Sequence, residues 1–251
     1  GIGATLEYEL SFKNSSRLEI DCNCTLSRGT DYVETRNYVD SPYLESLGNH
    51  ELIIEYSTPR TNVFQHRFKL GYETSGYETF DNNTDLRSEG HTIGYGILMK
   101  LSENLKIFLS PIEYQRQSNW SIWKKENLFA YYDKEMISSG LNLDWFIGDR
   151  QEIRVKGKIY GIKGKRPRPY RVNNYGYLGS SEDEINSLEL SETAFQVRYK
   201  YQFAPLSDLY IVYTRGGKYS NIQTSQFEKI YSGSWSCLLY TSPSPRDFEA
   251  S

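Results

Sequence analysis

Residues 195–215 read FQVRYKYQFAPLSDLYIVYTR, and the fold depends on how that line is parsed. Phe195, Val197, Tyr199, Tyr201 and Phe203 alternate with Gln196, Arg198, Lys200 and Gln202. After residues 204–208, Leu209, Ile211 and Tyr213 resume the alternation. Period-two alternation on both arms of a short turn predicts a β-hairpin with one apolar and one ionic face. A soluble sheet covers its apolar face with a second layer. A barrel in lipid turns that face to hydrocarbon and keeps water on the other. Large aromatics over a wholly polar partner face favour the second. The expected fold is all-β, an antiparallel up-and-down transmembrane β-barrel.

The same pattern spreads outward from the hairpin. Leu141, Leu143 and Trp145 lead into a turn at 148–151, after which Ile153, Val155, Gly157 and Ile159 alternate with Arg154, Lys156 and Lys158. Ile93, Tyr95, Ile97, Met99 and Leu101 precede a turn at 102–104, followed by Leu105, Ile107 and Leu109. A strand at 51–56 turns through 57–62 into Phe64, Phe68, Leu70 and Tyr72. At the start, Ile2, Ala4, Leu6, Tyr8, Leu10 and Phe12 turn through 13–17 into Leu18, Ile20, Cys22, Cys24 and Leu26.

Between these short turns lie polar segments at 28–49, 73–90 and 164–190, expected as long loops. Residues 111–133 are less regular and read as strand extensions above the membrane joined by a loop, with Trp120 and Trp123 near the interface. Residues 219–235 read as a loop before a lost last strand. Alternating short and long connections are the mark of a bacterial outer-membrane barrel. About ten strands, each near the roughly 9–11 residues that cross a bilayer, are expected. An open sheet of that size leaves edges that lipid does not tolerate, so the native protein is expected to carry more strands.

Composition agrees with strands rather than helices as the spanning elements. Of 251 residues, 38% are hydrophobic and mean hydropathy is −0.64, too polar for a bundle of membrane helices. Aromatics are 15%, with 22 Tyr and 4 Trp, the residues that gather at membrane interfaces. A net charge of −3 argues against a nucleic-acid partner. The chain opens Gly-Ile-Gly with no Met or export signal and is expected to be a fragment. Residues 237–247, CLLYTSPSPRD, match the translation of a transposon-type sequencing-library adapter. Residues 1–236 are therefore expected to be the partial barrel and 237–251 a non-native appendage, from an assembled environmental read.

Residues 150–217 resemble the C-terminal barrel of a large family of uncharacterised bacterial outer-membrane proteins. The resemblance rests on RQEIRVK at 150–156 and YKYQFAPLSDLYIVYTR at 199–215. That family commonly joins a family 9 carbohydrate-binding-like module to a C-terminal barrel domain of unknown function. The resemblance implies that 199–215 is the penultimate hairpin, followed by a loop and a closing strand ending in an aromatic residue. It places any sugar-binding module upstream of Gly1, so no binding residue is carried over. Some members are labelled hydrolases, but no residues here support that label.

Cysteines, histidines and inward charges are the candidate site residues. Cys22 and Cys24, two apart on one strand face, are poorly placed for a disulfide and read as small lipid-facing residues. His50 and His91 fall at loop ends of strands, and His66 beside a short turn on the aromatic face. No Ser-His-Asp or metal spacing is visible, so no catalytic residue, metal or cofactor is expected. The inward positions change sign along the chain. Glu7, Glu9, Glu19 and Asp21 line the first hairpin, whereas Arg154, Lys156, Lys158, Arg198 and Lys200 line later ones. One reading is a lumen with opposed acidic and basic walls that orient solutes in a transverse field. The plainer reading is cross-strand ion pairing, or solvation alone. The cluster at 163–171 reads as a solvated outer loop, or a contact for lipopolysaccharide phosphates.

The expected role is a pore, transporter or membrane anchor in the bacterial outer membrane. Its expected partners are outer-membrane lipid, lipopolysaccharide and the barrel-assembly machinery, with carbohydrate reached through the missing module. Two alternatives stand beside it: an outer-membrane hydrolase with its site in the long loops, and a soluble glycan-binding β-sandwich.

Overall fold

A period-two sequence can satisfy its backbone only by pairing with neighbours, and the structure shows every strand paired with at least one other. The computed structural model describes residues 2–25, 29–31, 44–61, 63–77, 79, 86–125 and 127–220. In chain order the strands are β1 (Gly3–Ser11), β2 (Arg17–Thr25), β3 (Gly29–Asp31), β4 (Leu44–Ser46), β5 (His50–Ser57), β6 (Phe64–Tyr77) and β7 (Leu86–Lys100). They continue as β8 (Leu105–Lys125), β9 (Leu128–Ile147), β10 (Gln151–Val172), β11 (Leu178–Ser180), β12 (Leu188–Ala204) and β13 (Ser207–Ser220). The main ladder runs β1-β2-β5-β6-β7-β8-β9-β10-β12-β13, with β3, β4 and β11 off this path. Every junction on the path is antiparallel, which makes it an up-and-down meander of about the expected ten strands. Among the described residues β1 and β13 do not pair with each other, so the sheet is open.

All five tight turns fall where the pattern places them. Ser15 takes a φ of 66° between β1 and β2, and Gly148, at 62°, occupies the left-handed region between β9 and β10. The last turn is tighter than expected. Residues 204–208 were to form it, but Ala204 pairs with Ser207 and Gln202 with Asp208. Only Pro205 and Leu206 remain, with Pro205 pre-setting its own φ and Leu206 at 62°.

At the opposite end of the sheet the expected long loops are corrected. The segment at 164–190 is mostly strand, because β10 runs to Val172 and β12 begins at Leu188. Its charges, which read as loop, are matched instead. Lys165 bonds Glu135 at 2.9 Å, and Arg166 and Arg168 each reach Asp133 at 2.8 Å. Pro167 sits in a register shift between Lys165 and Arg168, the irregular place where a sheet accepts proline. The extension of β8 and β9 through 111–133 is as expected, but only residues 126–127 join them. At 20 residues β9 is about twice the roughly 9–11 that cross a bilayer. The other parts of the expected segments at 28–49 and 73–90, the stretch after Ser220 and the adapter-like residues lie outside the described residues.

The two faces alternate as the sequence predicts. One row reads Leu10, Leu18, Tyr56, Phe68, Tyr95 and Ile112 across six strands. Another reads Phe64, Met99, Ile107, Leu143, Val155, Val197 and Tyr213. Much of this face is uncovered, since Leu70, Ile93 and Ile211 are all more than half exposed, whereas Ser191 and Thr193, farther along β12 on the same face, are buried.

Between Ile97 and Tyr95 the register with β8 shifts, and Ser110 and Pro111 bulge against Gly96. A methyl added at Gly96 would lie 2.9 Å from Pro111 N and 3.1 Å from Leu109 O, both backbone atoms. Gly96→Ala is therefore expected to cost about 1–3 kcal/mol through overpacking. A lower urea midpoint in detergent is the readout. Gly157→Ala, whose nearest neighbour would be Leu141 Cβ at 3.8 Å, is expected to leave that midpoint almost unchanged.

The buried apolar cluster lies at the end away from the tight turns. Leu44, Leu86, Phe129, Tyr131, Val172 and Leu178 form it, with Tyr77, Trp123 and Tyr170 packed against it. Backbone bonds tie these distant segments together: Glu45 N donates to Gly176 O at 3.2 Å, and Thr79 bridges Leu178 in parallel. Arg171 clamps the segment before β12, its Nε and Nη2 donating to the two oxygens of Asp183 at 2.8 and 2.9 Å. Ser181 Oγ also donates to that carboxylate. The Arg171 and Ser181 donors hold the Asp183 carboxyl at about 2, below its usual 3.8.

A depressed carboxyl contributes stability above its unfolded pKa and loses it as pH falls through the folded one. Protection of residues 173–187 from hydrogen exchange, corrected for the intrinsic rate, is expected to be flat above about pH 4 and to fall towards about pH 2. Asp183→Asn is expected to abolish that dependence.

Candidate functional site: the ionic face

The reverse of the apolar face carries the charges. Strand alternation sends Glu7 and Glu9 to the same side as Asp21 and Glu19, their direct cross-strand partners. Glu19 stands opposite Glu55, Glu55 opposite Lys69, Lys69 opposite Gly94, and Gly94 opposite Glu113. At the other end of the ladder Arg154 stands opposite Asp144 and Arg198, and Glu152 opposite Lys200. Continuing the register through β8 and β9 places Arg154, Lys156, Lys158, Arg198 and Lys200 on the same face as the four carboxylates. All nine expected residues thus share one surface, acidic on β1 and β2 and basic on β10 and β12.

Much of this charge is paired. Arg17 bridges Glu9 at 2.9 Å and Glu19 at 2.7 Å. Lys69 reaches Glu113 at 2.9 Å and Glu55 at 3.9 Å. Arg154 meets Asp144 at 3.4 Å and also contacts Glu152, which Arg198 reaches at 3.5 Å. Lys200 bonds Asp208 at 2.9 Å. Glu7, Asp21, Lys156 and Lys158 have no ion-pair partner among the described residues. Ion pairing, mostly across strands, therefore accounts for five of the nine residues and leaves four.

The partners Arg17, Glu55, Lys69, Glu113, Asp144, Glu152 and Asp208 were not singled out from the sequence. Their signal is partly present, since Glu55, Lys69, Asp144 and Glu152 occupy inward positions by alternation, whereas Arg17 and Asp208 read as turn residues and Glu113 falls in the irregular stretch. The missing knowledge was which strand lies beside which. The cluster at 163–171 is corrected as well. It belongs to β10, and its Lys165, Arg166, Arg168 and Arg171 are bound to carboxylates rather than free in a solvated loop.

The histidines and cysteines lie on the apolar face. His66 Nδ1 is 2.8 Å from Tyr95 Oη, and the His91 ring lies 5.3 Å from that of Tyr72. His50 pairs with Cys24 and Thr74. The Cys22 and Cys24 sulfurs are 3.5 Å apart and both thiols are free. Among the described residues no His, Cys, Asp and Glu gather into a metal-sized group.

The ladder from β1 to β13, with this face on it, lies within one family match: a model described as a domain of unknown function, DUF5916, covers residues 1–242. The chain belongs to that family. No curated protein and no solved structure matches it. DUF5916 is uncharacterised, as the resemblance implied, and lends no residue roles. The ionic face of this DUF5916 domain has to be read from its own geometry.

Proposed function

We propose that this sheet is a section of the wall of a bacterial outer-membrane β-barrel, with lipid on its apolar face and water on its ionic face. Its role is a pore, transporter or membrane anchor. The observation that carries the reading is a change of character at one height on the apolar face. Ile93, Tyr114, Ile137 and Gly161 form one row across β7 to β10. The next row away from the tight turns on that face is His91, Arg116, Glu135 and Lys163. Below the change, residues 137–147 of β9 match the roughly 9–11 residues of a tilted crossing. Above it the strands continue as charged, ion-paired extensions, as expected where lipid gives way to water.

A soluble sandwich would need a layer over Leu6, Leu70 and Ile211, and the described residues supply none. The open edges at β1 and β13 then call for further strands, because lipid permits no unpaired backbone. Outer-membrane lipid, lipopolysaccharide and the barrel-assembly machinery are the partners of such a wall. A carbohydrate-binding-like module upstream would link it to glycan.

The test is to express the complete gene and ask whether the product needs detergent and conducts in planar bilayers. Detergent dependence and heat-modifiable gel mobility support the barrel, and single-channel conductance supports the pore among its roles. A soluble, detergent-free monomer overturns the reading.

A further inference from the structure

We infer that the ionic face holds a binding site for a small, water-soluble, multivalent oxyanion at Lys156 and Lys158. The inference rests on the reading that this face is wetted. Its starting point is a contrast with the five paired cations of that face. Arg17, Lys69, Arg154, Arg198 and Lys200 each meet a carboxylate. Lys156 stands opposite Asn142 and Gln196, and Lys158 opposite Gly140 and Ala194, so every direct cross-strand neighbour is neutral. The two ammonium stems leave one strand face two residues apart, about 7 Å along the chain. Like charges so close repel each other, and no counter-ion among the described residues relieves them.

Both lysines border a hollow of about 580 Å³, within the roughly 300–1,000 Å³ of small-molecule sites. Gly140 and Ala194 open it by giving up side-chain volume. Asn142, Gln196 and Thr214 add hydrogen-bonding groups to its lining, and Gln196 Nε2 already donates to Thr214 Oγ1 at 3.3 Å. The one carboxylate on its border, Glu113, is engaged by Lys69 at 2.9 Å. Chloride can neutralise either lysine but cannot bridge the pair. A di- or tricarboxylate, or a solute with two sulfate or phosphate groups, can span both with charge-assisted hydrogen bonds.

The experiment titrates citrate into the complete protein in detergent micelles by calorimetry, with ionic strength held constant by chloride. Saturable binding is expected. Lys156→Gln with Lys158→Gln is expected to weaken it at least about tenfold, the scale of one lost charge-assisted pair. Lys156→Arg with Lys158→Arg is expected to retain it. Both side chains are exposed, so heat-modifiable mobility should confirm that the variants fold. Should the double glutamine variant misfold, Lys158→Gln against Lys158→Arg decides in the same way. No saturable binding, or undiminished binding in the folded glutamine variant, overturns the inference. Because micelles need no conduction, citrate binding in a silent protein sinks the pore role and leaves this site. Conductance without citrate binding does the reverse.

Discussion

Phe68→Arg is expected to destabilise the folded protein in lipid by about 2–4 kcal/mol, the range for a cation near the middle of a barrel's lipid face. Phe68 is 45% exposed and pairs with Tyr56 and Tyr95, two rows inside the change to charged residues at His91. In water an exposed apolar residue replaced by arginine changes stability by only about 0.5 kcal/mol either way. The two readings of the sheet therefore differ several-fold in a single measurement, the free energy of urea unfolding in vesicles. Lys69, the next residue, projects to the ionic face and is bound to Glu113. Lys69→Leu is expected to act differently, leaving Glu113 without its cation while adding nothing to the lipid face. A neutral Phe68→Arg would remove lipid from that side of the sheet and return the aqueous alternatives to contention.

Much of the ladder was legible because alternation is local. The pairs Val197 with Tyr213 and Leu6 with Cys22 follow once two arms and a turn are recognised. The same logic separated Glu7 and Glu9 from Leu6 and Tyr8. What alternation does not carry is where a strand stops. Residues 164–172 are rich in Lys, Arg and Pro and read as loop, yet they continue β10. Their charges find Asp133 and Glu135 on β9, which lie about thirty residues away and leave no mark in the local pattern. The ionic face was half legible for the same reason. Its signs and its side could be read, but Arg154 meeting Asp144 depends on β9 lying beside β10. Lys156 and Lys158 stand out only after the pairs around them are drawn.

Phe129→Ala is expected to cost about 3–5 kcal/mol, the range for emptying a buried phenylalanine site. Phe129 is fully buried, and the cluster around it draws on β4, β7, β9, β10 and β11. These segments come from four separate connections at one end of the sheet, so the cavity cannot close without moving elements that other contacts hold. The loss should also be local. The apolar belt below residue 137 shares no side chain with this cluster, and a barrel wall keeps its own ladder of backbone bonds. Protease should therefore cut the variant within residues 173–187 while the protein stays heat-modifiable and detergent-bound. Tyr170, packed edge-on against Tyr131 at 5.1 Å, offers a second readout through its loss of protection from exchange. Global unfolding of Phe129→Ala would instead mean that this end of the sheet nucleates the whole wall, and that the belt cannot stand without the structure built above it.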